Sequence, residues 1–415
     1  MARQNPCNGR HTTDGHPGAA HFLRAGCVVT PTNDRLGRWP QHRRSECWLV
    51  DEHGQASLSW TAADGVFNLG FANSEVAHHV MATVERHDIG VWSSPSQQRD
   101  RGEQSFNAAL PRGLDRTVFT ANTAEALEVA LKIARRQTGR LGVVSATDAG
   151  EGARSLALAV AGPAYRPERR RRSGLTLERV PFGSIDSIEL AVDDTTAAVY
   201  VEVVQIEAGV IEAPEGYLAA VRRVCNEHGA LMVLDETKSG LLRTGPLWAF
   251  EHHDVTPDLM ISGNGLSGGY YPMGACSGAA HRFESVAPAS TIHESTFLGN
   301  EIAAAVAGRV IGRYVDPYFR LHVAEVGERL GEGLRTIMVG YPNLIAEVRG
   351  RGLLFGVEVT DPILRDPLVR ACARRGLISQ PSEHDATVTV MPPLVISPGE
   401  VGEGLGRFEA ALASL

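Results

Sequence analysis

Short apolar runs alternate with segments of helical periodicity through the middle of the chain. Apolar residues recur at helical spacing over Thr123–Arg136 and Gly216–His228. The runs Leu141–Ala146, Ala197–Val204 and Leu231–Leu234 are shorter and almost wholly apolar, which is typical of buried strands. Alternating strands and helices indicate a mostly parallel sheet covered by helices, so the predicted fold class is α/β.

The two ends of the chain show different patterns. Residues 1–28 are polar and lack an apolar period, which predicts a flexible N-terminal arm. The run CWLVDEHGQASLSW predicts a hairpin that turns at Glu52–Gly54, and FNLGFANSEVAHHVMATVERH predicts a turn and an amphipathic helix. After Asn300, the run EIAAAVAGRVIGRYV predicts a long helix.

Composition narrows the class of protein. The 415 residues are 43% apolar and 21% charged, which indicates a globular protein of about two domains. A formal net charge of −8 disfavours nucleic acid or an anionic membrane as partner. Without a long apolar run or a signal sequence, we expect a cytoplasmic location. Six scattered cysteines predict reduced thiols and no metal site.

The segment LMVLDETKSGLLRTGPLWAFEHHDVTPDLMISGNGLSGGYYPMGACSG, residues 231–278, closely resembles the core of class III aminotransferases. The resemblance extends from about Cys47 to the end of the chain. It implies a fold type I pyridoxal-phosphate (PLP) transferase, with a large domain around a mostly parallel, seven-stranded sheet and a small α+β domain from both termini. We assign residues 63–304 to the large cofactor-binding domain, and residues 29–62 and 305–415 to the small domain.

Asn264 occupies the position at which the family has the lysine that carries the cofactor as a Schiff base. Asparagine forms no imine, so both the covalent anchor and the usual general base are missing. The chain has 40 basic residues, of which only Lys132 and Lys238 are lysines. A bias towards arginine does not explain an asparagine at this position.

The resemblance also assigns the cofactor-binding residues. Asp235 is expected to pair with the pyridinium nitrogen and keep it protonated, which makes the ring an electron sink. Asn122, Thr123 and Ala124 are expected at the phosphate, at a helix N-terminus where free N–H groups favour an anion. Thr123 replaces a glycine of the family, which predicts weaker binding. The expected set is completed by Gln205, Thr237 and Thr296, and Thr296 is expected to reach the phosphate of a partner subunit.

Lys238 stands where the family usually has a glutamine that binds the phenolic oxygen of the cofactor. Three roles are compatible with this position: neutralising the phenolate, shuttling a proton, or forming an imine from the opposite direction. The alternative is a loop lysine that points to solvent. Glu294, where the family has a small residue, and its neighbour His293 are candidates for a replacement base, although an interface loop often carries such residues for structural reasons.

Substrate-binding positions have changed as well. Thr389 replaces the arginine that clamps an α-carboxylate, which makes ordinary α-amino acids poor substrates. Glu207 matches an acidic residue that holds or releases this arginine in some members, and it can instead accept from an amine or hydroxyl, or be a loop carboxylate paired with an arginine. Gly150, Glu151 and Gly152 stand where an aromatic stacking residue and His-Gly are expected.

Two classes of function follow. The first is an enzyme that binds PLP or pyridoxamine phosphate (PMP) non-covalently and acts on an amino sugar or another specialised metabolite, with Lys238, Glu207, Glu294 and Asn264 as the catalytic candidates. The second is a silent transaminase homologue that partners an intact paralogue, or the fold reused without the cofactor. A homodimer with shared sites is expected in the first case. A lysine changed to Asn264 by engineering would leave the other substitutions unexplained.

Overall fold

The computed structural model describes residues 41–86, 95–147, 176–286, 293–382 and 386–415. These residues all fall within the compact unit Trp39–Leu415. The strands are β1 (Gln41–Ser45), β2 (Trp48–Asp51), β3 (Ala56–Ser59), β4 (Arg116–Thr120), β5 (Gly142–Ala146), β6 (Thr176–Val180), β7 (Thr196–Glu202), β8 (Val204–Gln205), β9 (Ile211–Glu212), β10 (Leu231–Asp235), β11 (Leu259–Ser262), β12 (Gly274–Gly278), β13 (Ile345–Arg351), β14 (Leu354–Val359), β15 (Leu377–Ile378), β16 (Gln380–Pro381) and β17 (Thr387–Val390).

Nine α-helices lie within the described ranges. They are α1 (Ser74–Glu85), α2 (Gln97–Asn107), α3 (Thr123–Thr138), α4 (Ile185–Ala191), α5 (Tyr217–His228), α6 (Glu301–Tyr314), α7 (Pro317–Gly340), α8 (Arg365–Arg374) and α9 (Pro398–Leu412). In this part of the chain, no helix combines the length and the apolar character needed to cross a membrane.

The central sheet has seven strands in the order β4-β12-β11-β10-β7-β5-β6. The contacts β11-β10, β10-β7, β7-β5 and β5-β6 are parallel, and β12 runs antiparallel to both of its neighbours. The prediction of a mostly parallel, seven-stranded sheet is therefore confirmed. Parallel strands place their carboxyl ends at one edge, which is where ligands bind in sheets of this kind.

Helix α3 forms much of the core because one face of it is made of small apolar residues. Ala126, Ala130 and Ala134 are fully buried and belong to one hydrophobic cluster with strand residues such as Tyr200 and Val233. The small side chains let the helix approach the sheet closely. This packing fixes the N-terminus of α3 at the edge of the sheet where the candidate site lies.

Two four-stranded sheets lie outside the central sheet, and one of them combines strands from both ends of the chain. One has the order β1-β2-β3-β15, in which Leu377 of β15 pairs in parallel with Leu58 of β3, and the other has the order β13-β14-β17-β16. The predicted hairpin is confirmed as β2 and β3, with Gly54 at a φ of 81° in its turn. The limits of the small and large domains at residues 63 and 304 stay predictions.

The elements predicted from periodicity are confirmed within one to three residues. Helix α3 continues two residues beyond Arg136, strand β7 ends at Glu202, and Gly216 is the N-cap of α5 with a φ of 78°. Strand β10 includes Asp235 as its last residue. The predicted N-terminal arm, residues 1–28, lies outside the described residues. Four cysteines, Cys47, Cys225, Cys276 and Cys372, are buried free thiols.

Candidate functional site

Asp235 ends the central strand β10, and its carboxylate is buried. It aligns with Glu202 at the end of β7 and with Ile261 of β11. Asp235 Oδ2 accepts from the Tyr200 hydroxyl at 2.7 Å, and Oδ1 accepts from the Thr237 backbone N–H at 2.8 Å. Burial raises the pKa of Asp235, although these hydrogen bonds act in the opposite direction.

Glu236, the next residue, points into a different environment. Its carboxylate accepts from the Ser239 hydroxyl at 2.8 Å and from the Phe250 backbone N–H at 2.7 Å. Complete burial raises its pKa to about 7. Glu236 therefore fixes the turn that follows β10, and its carboxyl titrates near neutral pH.

The N-terminus of helix α3 lies at the same edge of the sheet. Asn122 is the N-cap, and its Oδ1 accepts from the Glu125 backbone N–H at 2.9 Å. Glu125 Oε2 in turn accepts from the Ala121 backbone N–H at 2.7 Å. The N–H groups of Thr123 and Ala124 lie in the first turn, where they lack acceptors within the helix and are suited to an anion.

Thr123 fills the space next to Gly263. A Cβ atom added at Gly263 would lie 2.0 Å from Thr123 Cγ2 and 3.5 Å from Thr237 Cγ2. The methyl group of Thr123 is therefore packed against the backbone that leads into Asn264. The side chain of Thr123 therefore narrows the approach to this segment.

A buried network connects α3 to the loop that begins at His293. Lys132 Nζ lies 2.9 Å from His293 Nδ1, and His293 Nε2 lies 3.1 Å from Glu125 Oε1. Burial raises the pKa of Glu125, but the hydrogen bonds from His293, Ser295 and the Ala121 backbone outweigh it and lower the pKa overall. Because an ammonium only donates, Nδ1 of His293 is the acceptor and Nε2 carries the proton.

Lys238 is buried and does not face solvent. Its Nζ forms a short ion pair with Glu207 Oε1, and the two side chains are 7% and 13% exposed. The interpretation of Lys238 as a solvent-facing loop lysine is therefore wrong, and Glu207 pairs with this lysine. Glu207 Oε2 is buried and has no hydrogen-bond partner. The pair lies close to Asp235, because the negative charge of Glu207 contributes to raising the pKa of Asp235.

Asn264 begins a short 3-10 turn, Asn264–Ser267, directly after β11. Its backbone φ is 22°, and its side-chain Nδ2 donates to the backbone carbonyl of Asp64 at 2.7 Å. The Tyr314 hydroxyl donates to the carbonyl of Gly265 at 3.0 Å. Asn264 is thus held by hydrogen bonds on a constrained turn, at the position where the resemblance expects a nucleophilic amine.

Arg243 is connected to this turn through Asn68. Its guanidinium is fully buried, donates to the carbonyls of Leu353 at 2.9 Å and Pro392 at 2.5 Å, and forms a further short bond to Asn68 Oδ1. Burial lowers its pKa to about 9. Asn68 in turn lies close to Gly265. A Cβ atom added at Gly265 would lie 2.6 Å from Asn68 Nδ2.

The remaining predicted residues are more widely distributed. Gln205 is buried, and its Nε2 donates to the carbonyl of Thr147 at 2.7 Å. Thr296 and Glu294 are exposed on the surface of the single chain. Thr389 is buried in β17, opposite Gly356 and Gln380. The predicted losses at Gly150, Glu151 and Gly152 lie outside the described residues.

Two residues at the site were not singled out from the sequence. Tyr200 holds Asp235, and Glu202 lies beside it at the end of β7. In the sequence, Tyr200 is one position of an apolar strand, and this pattern gives no signal for the partner of its hydroxyl. The signal for Glu202 was present, because an acidic residue directly after a buried apolar run occupies the same type of strand end as Asp235.

The residues present fit two ends of a PLP molecule. Within the described ranges, Asp235 has two hydrogen-bond donors and no basic side chain as ion-pair partner. A buried carboxylate in this situation is stabilised by a cation such as a pyridinium nitrogen. The first turn of α3 offers N–H groups for the phosphate. Among these residues, Asn264 does not fit, because it has no amine for a covalent bond.

Comparisons with known proteins agree with this geometry. The sequence profile of the family described as aminotransferase class-III matches residues 32–412. The chain is 34% identical over 361 residues to an uncharacterized aminotransferase of Archaeoglobus fulgidus, which covers 86% of this chain and 84% of that protein. It is 31% identical over 398 residues to the acetylornithine aminotransferase of Agrobacterium fabrum, with coverage of 94% and 97%.

A solved structure gives the same result. The ornithine aminotransferase of Toxoplasma gondii, crystallised with partial occupancy of PLP at its active site, superimposes with a TM-score of 0.82 at 26% identity, covering 90% of each chain. The family profile and the two sequence relatives span nearly the whole described part of the chain. The chain therefore belongs to the class III aminotransferases, a family whose cofactor is pyridoxal phosphate in its aldehyde or amine form.

Proposed function

We propose that this protein is an aminotransferase-fold enzyme that holds PLP or PMP without a covalent bond at residue 264. We propose further that it acts on an amino sugar or another specialised amine metabolite, and not in standard amino-acid transamination. The observation that carries the proposal is the combination of a retained Asp235 with an Asn264 whose amide is engaged by the Asp64 carbonyl. Asp235 can still bind the nitrogen of the cofactor ring, whereas Asn264 offers no amine for a covalent bond.

The protein groups have distinct tasks in this proposal. The cofactor, when bound, supplies an electron sink for bonds at the carbon that bears the substrate amine. Asp235 keeps the ring nitrogen protonated, and Tyr200 orients the Asp235 carboxylate. The first turn of α3 binds the phosphate and positions the ring. These tasks need no lysine at residue 264.

Lys238 is the candidate for moving a proton. Glu207 holds its ammonium inside the site, and a buried lysine next to a carboxylate can pass a proton without losing its position. Asn264 contributes by fixing the turn after β11, and the exposed Glu294 takes part only if a partner subunit covers it. The relatives named acetylornithine and ornithine aminotransferases support transfer of an amine, while Thr389 removes the guanidinium expected for an α-carboxylate.

The proposed assembly is a cytoplasmic homodimer with shared sites. Its support is the exposure of Thr296, which the resemblance places at the phosphate of the partner. Thr296 lies on the loop between His293 and Asn300, and the His293 network ties this loop to the N-terminus of α3. A loop held in this way presents Thr296 outwards in a defined orientation.

A silent homologue that partners an intact paralogue is the second candidate. Four altered positions favour it: Asn264, Thr123, Thr389 and Gly150, the last of which lies outside the described residues. In that case the retained Asp235 would be a remnant and Thr296 would complete the site of another chain. Cofactor binding by this chain alone separates the two candidates.

The experiment is reconstitution of the purified chain with PLP, followed by absorbance spectroscopy, borohydride reduction and peptide mass mapping. Only the peptides that contain Lys132 and Lys238 need examination, with the N-terminal amine as internal reference. Bound cofactor without an adduct supports the proposal as stated. An adduct on Lys238 would move the covalent bond to that residue, and no binding would favour the silent homologue.

A further inference from the structure

A small cavity lies beside Asp235 at the carboxyl end of β10. Its walls include Glu202, Glu207, Asp235, Thr237 and Lys238, and its volume is about 10 Å³. This space holds one water-sized group. An ammonium or a hydroxyl has this size, whereas a carboxylate or a phosphate does not fit.

The charges around the cavity favour a cation. Three carboxylates and one ammonium line it, which leaves two negative charges. Pairing of Asp235 with a ring nitrogen, as in the proposed function, still leaves one negative charge. An approaching cation gains from this field, because charges interact strongly where water is excluded. An approaching anion is repelled.

Two polar atoms at the cavity can accept a hydrogen bond from a ligand. Glu207 Oε1 receives Lys238 Nζ, but Glu207 Oε2 is buried and accepts no hydrogen bond. Thr237 is only 5% exposed, and its hydroxyl, which acts on the Asp235 carboxylate and lowers its pKa, still has lone pairs that can accept from a ligand. A buried acceptor left unpaired is costly, so a ligand that donates hydrogen bonds is favoured at this position. A protonated amine donates three and satisfies both atoms.

We infer that this cavity is the subsite for a second ammonium group of the substrate, bound by Glu207 Oε2 and Thr237 Oγ1. The substrate class is then a diamine or an amino sugar with two amines, with no carboxylate next to the reacting carbon. The inference rests on the proposed function for the reacting end of the substrate. The subsite itself depends only on the residues of the protein.

The test is calorimetric titration of the full-length protein with three matched probes, both with and without PMP. The probes are 1,4-diaminobutane, 1-aminobutane and 4-aminobutanoate, which share one amine and differ at the other end. We expect the diamine to bind at least about tenfold more tightly than the monoamine, since one charge-assisted hydrogen bond contributes this much. The amino acid is expected to bind more weakly than the monoamine.

Variants assign the effect to the subsite. Glu207→Gln is nearly isosteric and is expected to bring the diamine down to the affinity of the monoamine. Because this change leaves the Lys238 ammonium buried beside an amide, Glu207→Gln combined with Lys238→Met is the second variant, in which no buried charge is left unpaired. Glu212→Gln, which removes a charge that pairs with Arg351 elsewhere, is the control and keeps the diamine preference.

The outcomes separate the two proposals. Equal affinity for diamine and monoamine with PMP bound would overturn the subsite and show that the cavity holds only water, while the proposed function stands. A diamine preference that depends on Glu207 but occurs without any cofactor binding would support the subsite and contradict the proposed function. A diamine preference that survives in both Glu207 variants would also overturn the inference.

Discussion

At Asn264, backbone and side chain both deviate from what a lysine at this position would prefer. The φ of 22° lies in a region that asparagine tolerates better than long side chains, and the amide is occupied by the Asp64 carbonyl. The backbone conformation and the hydrogen bond at residue 264 therefore both suit an asparagine. Reintroducing an amine at this point is a direct test of the site.

Asn264→Lys is expected to give a borohydride-stable adduct with PLP at residue 264, whereas the unchanged chain gives none there. The substitution costs about 1 kcal/mol of stability because of the positive φ. The measurement is peptide mass mapping after reduction, and Asn264→Gln serves as the control because it has similar length and no amine. Absence of an adduct in the lysine variant would mean that residue 264 does not face the cofactor.

Glu236 predicts a pH dependence of stability. Its pKa in the folded protein is about 7, against an ordinary value of 4.5, so the folded state keeps a proton that the unfolded chain releases. The stabilisation is present below about pH 4.5 and is lost as the pH rises through 7, with a difference of ~3 kcal/mol. Glu236→Gln is expected to flatten this dependence, as measured by urea unfolding across that range.

A glutamine at residue 236 retains an acceptor for the Phe250 backbone N–H and a polar contact to Ser239, so we expect the fold to be preserved. Glu52→Gln, on the exposed hairpin turn, is the matched control and leaves the dependence as it is in the unchanged protein. An unaltered pH profile in the Glu236 variant would show that this carboxyl is ionised in the folded state.

At the scale of elements, the imidazole of His293 joins the loop from His293 to Asn300 to helix α3. His293→Ala leaves Lys132 Nζ and Glu125 Oε1 without their partner, both in surroundings where water is scarce. We expect a loss of about 1–3 kcal/mol in the free energy of unfolding. Urea unfolding measures it, with His53→Ala on the exposed hairpin turn as the control.

His293→Gln separates the chemical role from the packing role, since an amide can accept from Lys132 and donate to Glu125. We expect this variant to recover most of the lost stability. If the alanine variant were as stable as the unchanged protein, the network would carry no energy, and the loop would be held by other contacts.

The helices predicted from the sequence share one property, an apolar face at regular spacing. Helix α2 was missed because its buried face consists of Arg99, Gly102, Glu103 and Phe106. A Cβ at Gly102 would lie 2.2 Å from the carbonyl oxygen of Ala304, so this helix packs on α6 through a glycine. Hydrophobic periodicity does not detect close contact of this kind, which depends on the absence of a side chain.

At the scale of the whole molecule, an exposed aromatic ring marks the expected contact between subunits. Phe297 is 57% exposed and lies on the loop that carries Thr296. In the proposed homodimer this ring is covered, so Phe297→Glu is expected to shift the protein to monomers in sedimentation experiments and to weaken PMP binding. Leu190→Glu is the control, because Leu190 is 88% exposed on α4 and its substitution is expected to leave the dimer intact.

A monomeric unchanged protein, or a Phe297 variant that sediments like the unchanged dimer, would contradict this assignment. The exposure of Phe297 does not follow from the sequence, because the local pattern between His293 and Asn300 indicates only which residues are polar. Exposure is a property of the folded chain and is not contained in a local pattern.

The candidate site could be predicted in part. Asp235 and the N-terminus of α3 follow from strand ends and capping, which are local signals. The Lys238–Glu207 pair and the Lys132–His293–Glu125 network join residues 31 and up to 168 positions apart, and these pairings depend on the packing of the whole sheet. Sequence reasoning named Lys238 and Glu207 separately and did not bring them together.

The different burial of the two lysines has a consequence for chemical labelling. Lys238 is buried in an ion pair, whereas Lys132 is half-buried and held by His293. Only an accessible, deprotonated amine attacks an acylating reagent, so Lys238 is expected to react when the structure around it opens. The rate of acylation at Lys238, compared with that at Lys132, would therefore report local opening at the candidate site without any introduced probe.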